Sequence, residues 1–420
     1  MDTTRGQGAT RAAARVLWIL WATYGAFYFC RTNISAALPG LQAEFHFSKT
    51  EIGTILGSLK LFYGLGQFLN GQLAERFPAR VLLAVGMFTS AALNVVFGLS
   101  TALYFFLFVW AANGYFQALG WTPTMKVASR WFDPARRGRA IGFIGTGYQL
   151  AGAITFVVAG WSAEYLGWRG AMYVPAALLA AMGLVTLFLL EEAPRDQLDP
   201  TAADRERADG AAPGWRHTLA VTLANPRLWL VALALAAVDA CRYGFTDWGL
   251  SHIMEMQGGG LGKNALKYAI LPLGGIPGAF LAGWVSDRLG GRRVPVLVAL
   301  CVLLAGLAWA YGATVSSHPA LSVVMLAFIG FCIFGPQVLL VGSAAIDLAR
   351  AGRTAAAVGF VNLFGYLGAF AGDQVTGYLA DRHGWQAAIH FWAGCALVAA
   401  LVISPLWRYS AASSRAAARS

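Results

Sequence analysis

Gly71-Gln-Leu-Ala-Glu75-Arg76 closes one apolar run of this chain, and Gly283-Trp-Val-Ser-Asp287-Arg288 closes another 212 residues later. The interval returns elsewhere. Gly160-Trp-Ser-Ala-Glu164 is matched by Gly377-Tyr-Leu-Ala-Asp381 at an offset of 217, and Pro123 by Pro336 at 213. Arg31 and Arg242, each one residue after a cysteine, are 211 apart. Intervals this close, in a chain of 420 residues, mean that one unit occurs twice. Within the repeated phrase the glycine permits close helix contact, while the acid and arginine sit where a helix leaves a membrane. Glu75, Arg76, Asp287 and Arg288 are therefore expected to act as ion-pair or gating groups at helix ends.

The composition supplies the solvent. Hydrophobic residues make up 58% of the chain and charged residues 12%, far below the roughly 25% charged of soluble domains. About 20 apolar residues cross a bilayer as a helix. The apolar runs predict twelve spans, at 16–38, 52–73, 80–99, 103–129, 138–163 and 170–190, then 227–252, 265–286, 294–313, 319–346, 354–379 and 385–407. The expected architecture is all-α and polytopic. It comprises a first six-helix bundle (1–190), a polar linker (191–226), a second six-helix bundle (227–408) and a tail (409–420). Of the 31 basic residues, 22 fall in alternate loops, in the linker and at the ends. The positive-inside rule then puts both termini and the linker in the cytoplasm. This distribution also accounts for the net charge of +11 without nucleic-acid binding. No cleavable signal sequence is read at the start. The five cysteines lie in apolar runs with no metal or disulfide spacing, and the six histidines are scattered. No metal, cofactor or enzyme chemistry is expected, and Gly145-Thr-Gly147 lies inside a span, not on a phosphate-binding turn.

Duplicated six-helix halves with this loop phrase resemble the major facilitator superfamily. Two stretches resemble, more narrowly, its organophosphate:phosphate antiporter family. These are Tyr24-Gly-Ala-Phe-Tyr28-Phe-Cys-Arg31-Thr-Asn33 and Arg242-Tyr-Gly-Phe-Thr-Asp247-Trp248. Gly114-Tyr-Phe-Gln117-Ala-Leu-Gly-Trp121-Thr-Pro123, Gly275-Ile-Pro-Gly278 and Leu363-Phe-Gly-Tyr366-Leu-Gly368 add to the likeness. The resemblance implies a major facilitator fold in a bacterial-type inner membrane, surrounded by lipid and monomeric. It implies exchange of an organophosphate for inorganic phosphate, with the matching arginines on the phosphate and with Tyr63, Trp121 and Tyr366 in the site.

The residues point the same way. An arginine at mid-membrane costs about 2.5–3.5 kcal/mol on insertion scales, so Arg31 and Arg242 are functional by default. Guanidinium stays ionised and matches phosphate oxygens with two parallel donors. Two of them nearly cancel the charge of a phosphomonoester, about −1.5 to −2. Facing each other unpaired, they would repel in the empty carrier. Tyr24 and Tyr28 share the Arg31 face of the first helix at spacings of four and three.

Three positions depart from what the resemblance implies: Thr32 stands where several relatives have a base, Gln67 where the family commonly has a lysine, and Tyr148 where the glycerol-phosphate carriers have a substrate-contacting histidine. Lys60, two turns before Gln67, is expected in a substrate or gating role, with a carboxylate partner as the alternative. Lys126 reads equally as a snorkelling residue. Asp239, one turn before Arg242, is placed to hold that guanidinium. Asp373 is placed to meet Lys60, and Asp247 to form a pair that breaks during transport. Two other readings remain open: a proton-coupled organic-anion carrier, in which one of these aspartates titrates, and a transporter-like sugar-phosphate sensor.

Overall fold

Apolar runs of this length satisfy their backbone internally only as helices, and the computed structural model shows helices throughout. It describes residues 2–194, 221–348 and 354–408. Most of the expected linker and the tail 409–420 lie outside the described residues, as does the side chain of Glu75.

The first half contains α1 (Asp2–Ala26, a 3-10 turn Phe27–Cys30, then Ile34–Phe45), α2 (Lys49–Arg76), α3 (Ala79–Gly98), α4 (Leu103–Gln117, then Trp121–Trp131), α5 (Pro134–Leu166) and α6 (Gly170–Leu189). The second contains α7 (Pro226–Tyr243, a π turn Gly244–Trp248, then Gly249–Gln257), α8 (Leu261–Tyr268, then Ile270–Arg288) and α9 (Arg293–Thr314). It continues with α10 (Pro319–Val338, a π turn Leu339–Ala344, then Ala345–Leu348), α11 (Thr354–Arg382) and α12 (Trp385–Ile403). Among the described residues, ten helical stretches are long and apolar enough to cross a membrane. The other two, α2 and α4, fall short for local reasons. Lys60, Gln67 and Asn70 dilute α2, and α4 breaks into pieces of 15 and 11 residues. Phe108, Phe188 and Leu401 stand on the outside about 70% exposed (71%, 73% and 70%), as lipid-facing side chains should.

The structure corrects the expected continuous span at 16–38. The helix is interrupted by its 3-10 turn, and Arg31 leaves helical geometry with φ −121°. Helix α7 widens into a π turn two residues after Arg242. Polar residues do mark both places, Arg31-Thr32-Asn33 in the first and Thr246-Asp247 in the second, but a polar residue inside a span is equally compatible with an unbroken helix, so the sequence does not disclose the breaks.

The halves meet closely on the face opposite the chain ends, here called the far face. There the acid of one Gly-x-x-Ala-acid phrase caps the start of a helix in the other half. Glu164 at the end of α5 accepts from the Gly262 amide of α8 at 2.5 Å. Asp381 at the end of α11 accepts from the amides of Lys49 and Thr50 in α2 at 2.9 and 2.7 Å. A carboxylate at a helix start answers both orphan donors and the positive end of the dipole. Lys49 adds an ion pair with Glu255 at 2.9 Å, and Glu255 also accepts from the Trp385 indole at 2.7 Å.

Glycine makes this approach possible. A Cβ on Gly377 would lie 2.3 Å from the Lys49 carbonyl oxygen, and one on Gly53 would lie 2.6 Å from that of Asp373. Gly377→Val is therefore expected to prise α2 from α11. Spin labels at the start of α2 and the end of α11 should move apart by several ångströms, with Gly377→Ala intermediate. An unchanged distance would refute the contact.

Candidate functional site

Each helix break frees backbone groups inside the membrane, and side chains must answer them. At the α1 break the Cys30 carbonyl receives Asn113 Nδ2 at 2.9 Å, Gln117 Nε2 at 3.4 Å and Asn94 Nδ2 at 3.5 Å. Ser90 locks the amides together, donating to Asn113 at 2.5 Å and accepting from Gln117 at 2.7 Å. This orientation leaves the Gln117 side-chain carbonyl facing Arg31, whose Nε and Nη2 donate to it at 3.2 and 3.1 Å. At the α7 break a single tyrosine serves: the Tyr268 hydroxyl donates to the Phe245 carbonyl at 2.6 Å. Gly249 is what admits that ring, since a Cβ there would sit 1.6 Å from the hydroxyl.

Between the breaks lies a cavity of about 310 Å³. Tyr24, Tyr28, Tyr63, Trp121, Tyr148 and Tyr366 form its aromatic wall, and Arg242 reaches its surface. The rings brace one another: Tyr28 stacks on Tyr148 at 5.0 Å between centroids, Tyr63 meets Tyr366 at 4.6 Å, and Tyr24 meets Trp121 at 4.8 Å. Arg31 is recessed. Its guanidinium lies 4.6 Å from the Tyr28 ring centre and 4.4 Å from that of Tyr63, so the phenol rings stand between it and the cavity. Ile141 and Gly142 near the start of α5, and Gly342 near the end of α10, also line the cavity, which places its mouth on the face that carries the chain ends. A smaller space of about 20 Å³ lies between Tyr28, Tyr148, Arg242 and Phe334.

The two arginines are not equivalent. Arg242 has a carboxylate, with Nη1 3.4 Å from Asp239 Oδ1, whereas Arg31 has only amide and aromatic partners. The expected pair of uncompensated, repelling charges is thus corrected: Asp239 neutralises one of them. Lys60 lies away from the cavity wall, between Asp247 and Asp373. It forms a short ion pair with the first and approaches the second at 2.9 Å. Among the described residues the buried Arg, Lys, Asp and Glu side chains are Arg31, Lys60, Arg242, Asp239, Asp247 and Asp373. Three cations meet three carboxylates, so the fully ionised interior is neutral.

The phrase at the other face behaves differently. Asp287 pairs with Arg293 at 2.5 Å and Arg288 lies 4.0 Å above the Trp284 ring, both within the second half. Arg76 is exposed. Lys126 donates to the Ala74 carbonyl near the end of α2 at 2.5 Å, a cap on that helix and not a free snorkelling end.

Sequence reasoning missed three cavity amides: Gln149, Gln337 and Asn362. Gln149 Nε2 and Gln337 Oε1 are buried without a hydrogen-bond partner, which leaves them available to a ligand. Their signal was present as polar residues inside apolar runs, but one amide in a span gives no direction.

The family model for the Major Facilitator Superfamily matches residues 20–372. The "Probable hexose phosphate transport protein" of Chlamydia trachomatis is 28% identical, with 96% of this chain and 92% of that protein covered. The "Glycerol-3-phosphate transporter" of Bacillus subtilis is 29% identical over 97% and 95%. The "Membrane sensor protein UhpC" of Salmonella typhimurium is 30% identical over 93% and 90%. Among solved structures, a bacterial homologue of the human lysosomal transporter Spinster, inward-facing and unoccupied, superposes with a TM-score of 0.75. It is 17% identical, with 96% of this chain and 97% of that one covered, and shows the shared fold. With two matched halves, a cavity between them and a family match across most of its length, this chain is a multi-pass membrane protein belonging to the major facilitator superfamily.

Proposed function

We propose that the protein carries an organophosphate across a bacterial-type inner membrane in exchange for inorganic phosphate, by rocking its two halves about the central cavity. The observation that carries this reading is the pair of arginines buried at equivalent helix breaks beside one tyrosine-lined cavity. Relatives named for hexose phosphate and glycerol 3-phosphate, similar along nearly the whole chain, support it.

Arg242 meets the phosphate first, because it reaches the cavity surface. A phosphoryl group offers three strong acceptor oxygens and enough charge to compete with Asp239 for the guanidinium. Arg31 follows once Tyr28 and Tyr63 turn aside, and their hydroxyls then join the phosphate or the organic part. Gln149, Gln337 and Asn362 hold the rest of the substrate. With the arginine-rich face in the cytoplasm, the cavity opens inward and the capped far face is the closed outer gate. Glu75, Arg76, Asp287 and Arg288 are the corresponding inner-face groups.

Vesicles loaded with phosphate should take up labelled phosphate, and added organophosphates should compete; phosphate-free vesicles should not take it up. Equal uptake in both sinks exchange. Saturable binding of a sugar phosphate with no flux in either would instead support a sensor, the role for which one relative is named. Arg31→Lys and Arg242→Lys keep the charge but lose the fork. Each is expected to slow transport roughly 10- to 100-fold, the cost of a lost charge-assisted hydrogen bond. Near-normal rates in either would refute bidentate binding there.

A further inference from the structure

The Lys60 triad divides unequally between the halves. Lys60 belongs to α2, whereas Asp247 and Asp373 belong to α7 and α11. Their side chains are 3%, 3% and 0% exposed. They lie on the far side of the cavity, past Tyr63 and Tyr366, where α2 and α11 touch through Gly53 and Gly57. The groups around them are accounted for. On α7 the Tyr243 ring lies 5.0 Å from Lys60 Nζ, and Arg242 is held by Asp239. On α8 the Tyr268 hydroxyl is spent on the Phe245 carbonyl, and on α11 Thr376 accepts from Trp392 of α12. Arg31, on α1, is engaged by Gln117. Within the second half, no described cation is ion-paired with the two carboxylates. Asp373, 2.9 Å from Lys60, has that ammonium as its one ion-pair partner among the described residues.

If the halves rock apart at the far face, Lys60 leaves with the first half and both carboxylates stay with the second. Two carboxylates that touched one ammonium then share a site with no cation. Like charges this close do not both stay ionised beside apolar walls, so one keeps a proton. We propose that Asp247 and Asp373 form a proton-binding site, which takes up one proton when the far face opens and releases it when Lys60 returns. A metal cation fits poorly, because it needs more oxygens than the pair supplies. The site makes the far-open state a proton-bound state and so couples the carrier to the pH on that side. This rests on the alternating-access part of the proposed function but not on the identity of the substrate.

The test uses the full chain in lipid nanodiscs, with sodium-free buffer and no substrate. Labels on the far ends of α2 and α11 report the ratio of open to closed molecules across a pH series. In the titrating range the ratio should rise about tenfold per unit fall in pH, the slope of one proton. Asp247→Asn and Asp373→Asn each leave one carboxylate for one lysine, and each should flatten that slope. Lys60→Gln should flatten it too, because the pair then keeps its proton in both states. A flat wild-type profile overturns the proposal even if no variant folds. So does a slope that survives both Asn variants. An opening driven by sodium at fixed pH reassigns the pair to a metal cation. Because no substrate is present, failed phosphate counterflow with an intact slope sinks the exchange reading alone. A flat slope with working counterflow sinks the proton site alone.

Discussion

A carbonyl freed inside a bilayer must find a donor, and the first half is arranged around one such group, the Cys30 oxygen. Setting Arg31 at the site bends the chain out of helical geometry and strands that oxygen. Asn94, Asn113 and Gln117 converge on it from α3 and α4. Once Gln117 has given its amide hydrogens to Cys30 and Ser90, its own oxygen points to Arg31. The repair of the break and the positioning of the guanidinium are therefore one network. The second half repairs its break with Tyr268 and positions Arg242 with Asp239 instead. The duplication conserved the location of the problem, while each half solves it with different chemistry.

That difference sets the electrostatics. Arg31, answered by dipoles and rings alone, is the one buried cation without a carboxylate among the described residues. Lys60 has two carboxylates, and Arg242 has one. The interior is neutral in sum but polarised, with excess positive charge beside the cavity and excess negative charge behind the far gate. An entering anion is drawn to the first without having to approach the second. Gln67, where the resemblance raised the expectation of a lysine, lines the cavity as a neutral amide. The positive charge offered to a ligand there is accordingly smaller than the family resemblance alone implies.

How far the sequence could be read depended on the range of each interaction. The two halves, the arginines and the aromatic face of α1 were legible because they repeat at fixed spacing. The approach of Lys60 to Asp373 was also foreseeable, since it follows from which helices neighbour each other. The breaks were not, because a run such as Phe27–Cys30 is equally apolar in a straight helix and a bent one. Nor were the caps: Glu164 and Asp381 read as the ends of their own helices, yet their partners are 98 and 331 residues away. The recess of Arg31 behind Tyr28 and Tyr63 depends on rotamers, on which residue spacing carries no information.

The repeated acid phrase ends up meaning two things. At the far face its acids reach across to the opposite half and cap helix starts, twice over by the pseudo-symmetry. At the face with the chain ends, the described ion pairs do not join the two halves: Asp287 pairs with Arg293 inside the second, and Arg15 and Arg130 of the first pair with Glu191 and Glu192 just after it. A backbone amide at a helix start is a donor in either state of the molecule, and water can replace the carboxylate there at small cost. A buried lysine between two carboxylates has no such substitute. The caps can therefore hold the far face shut and release it readily, while the triad sets the charge that must change hands when it opens.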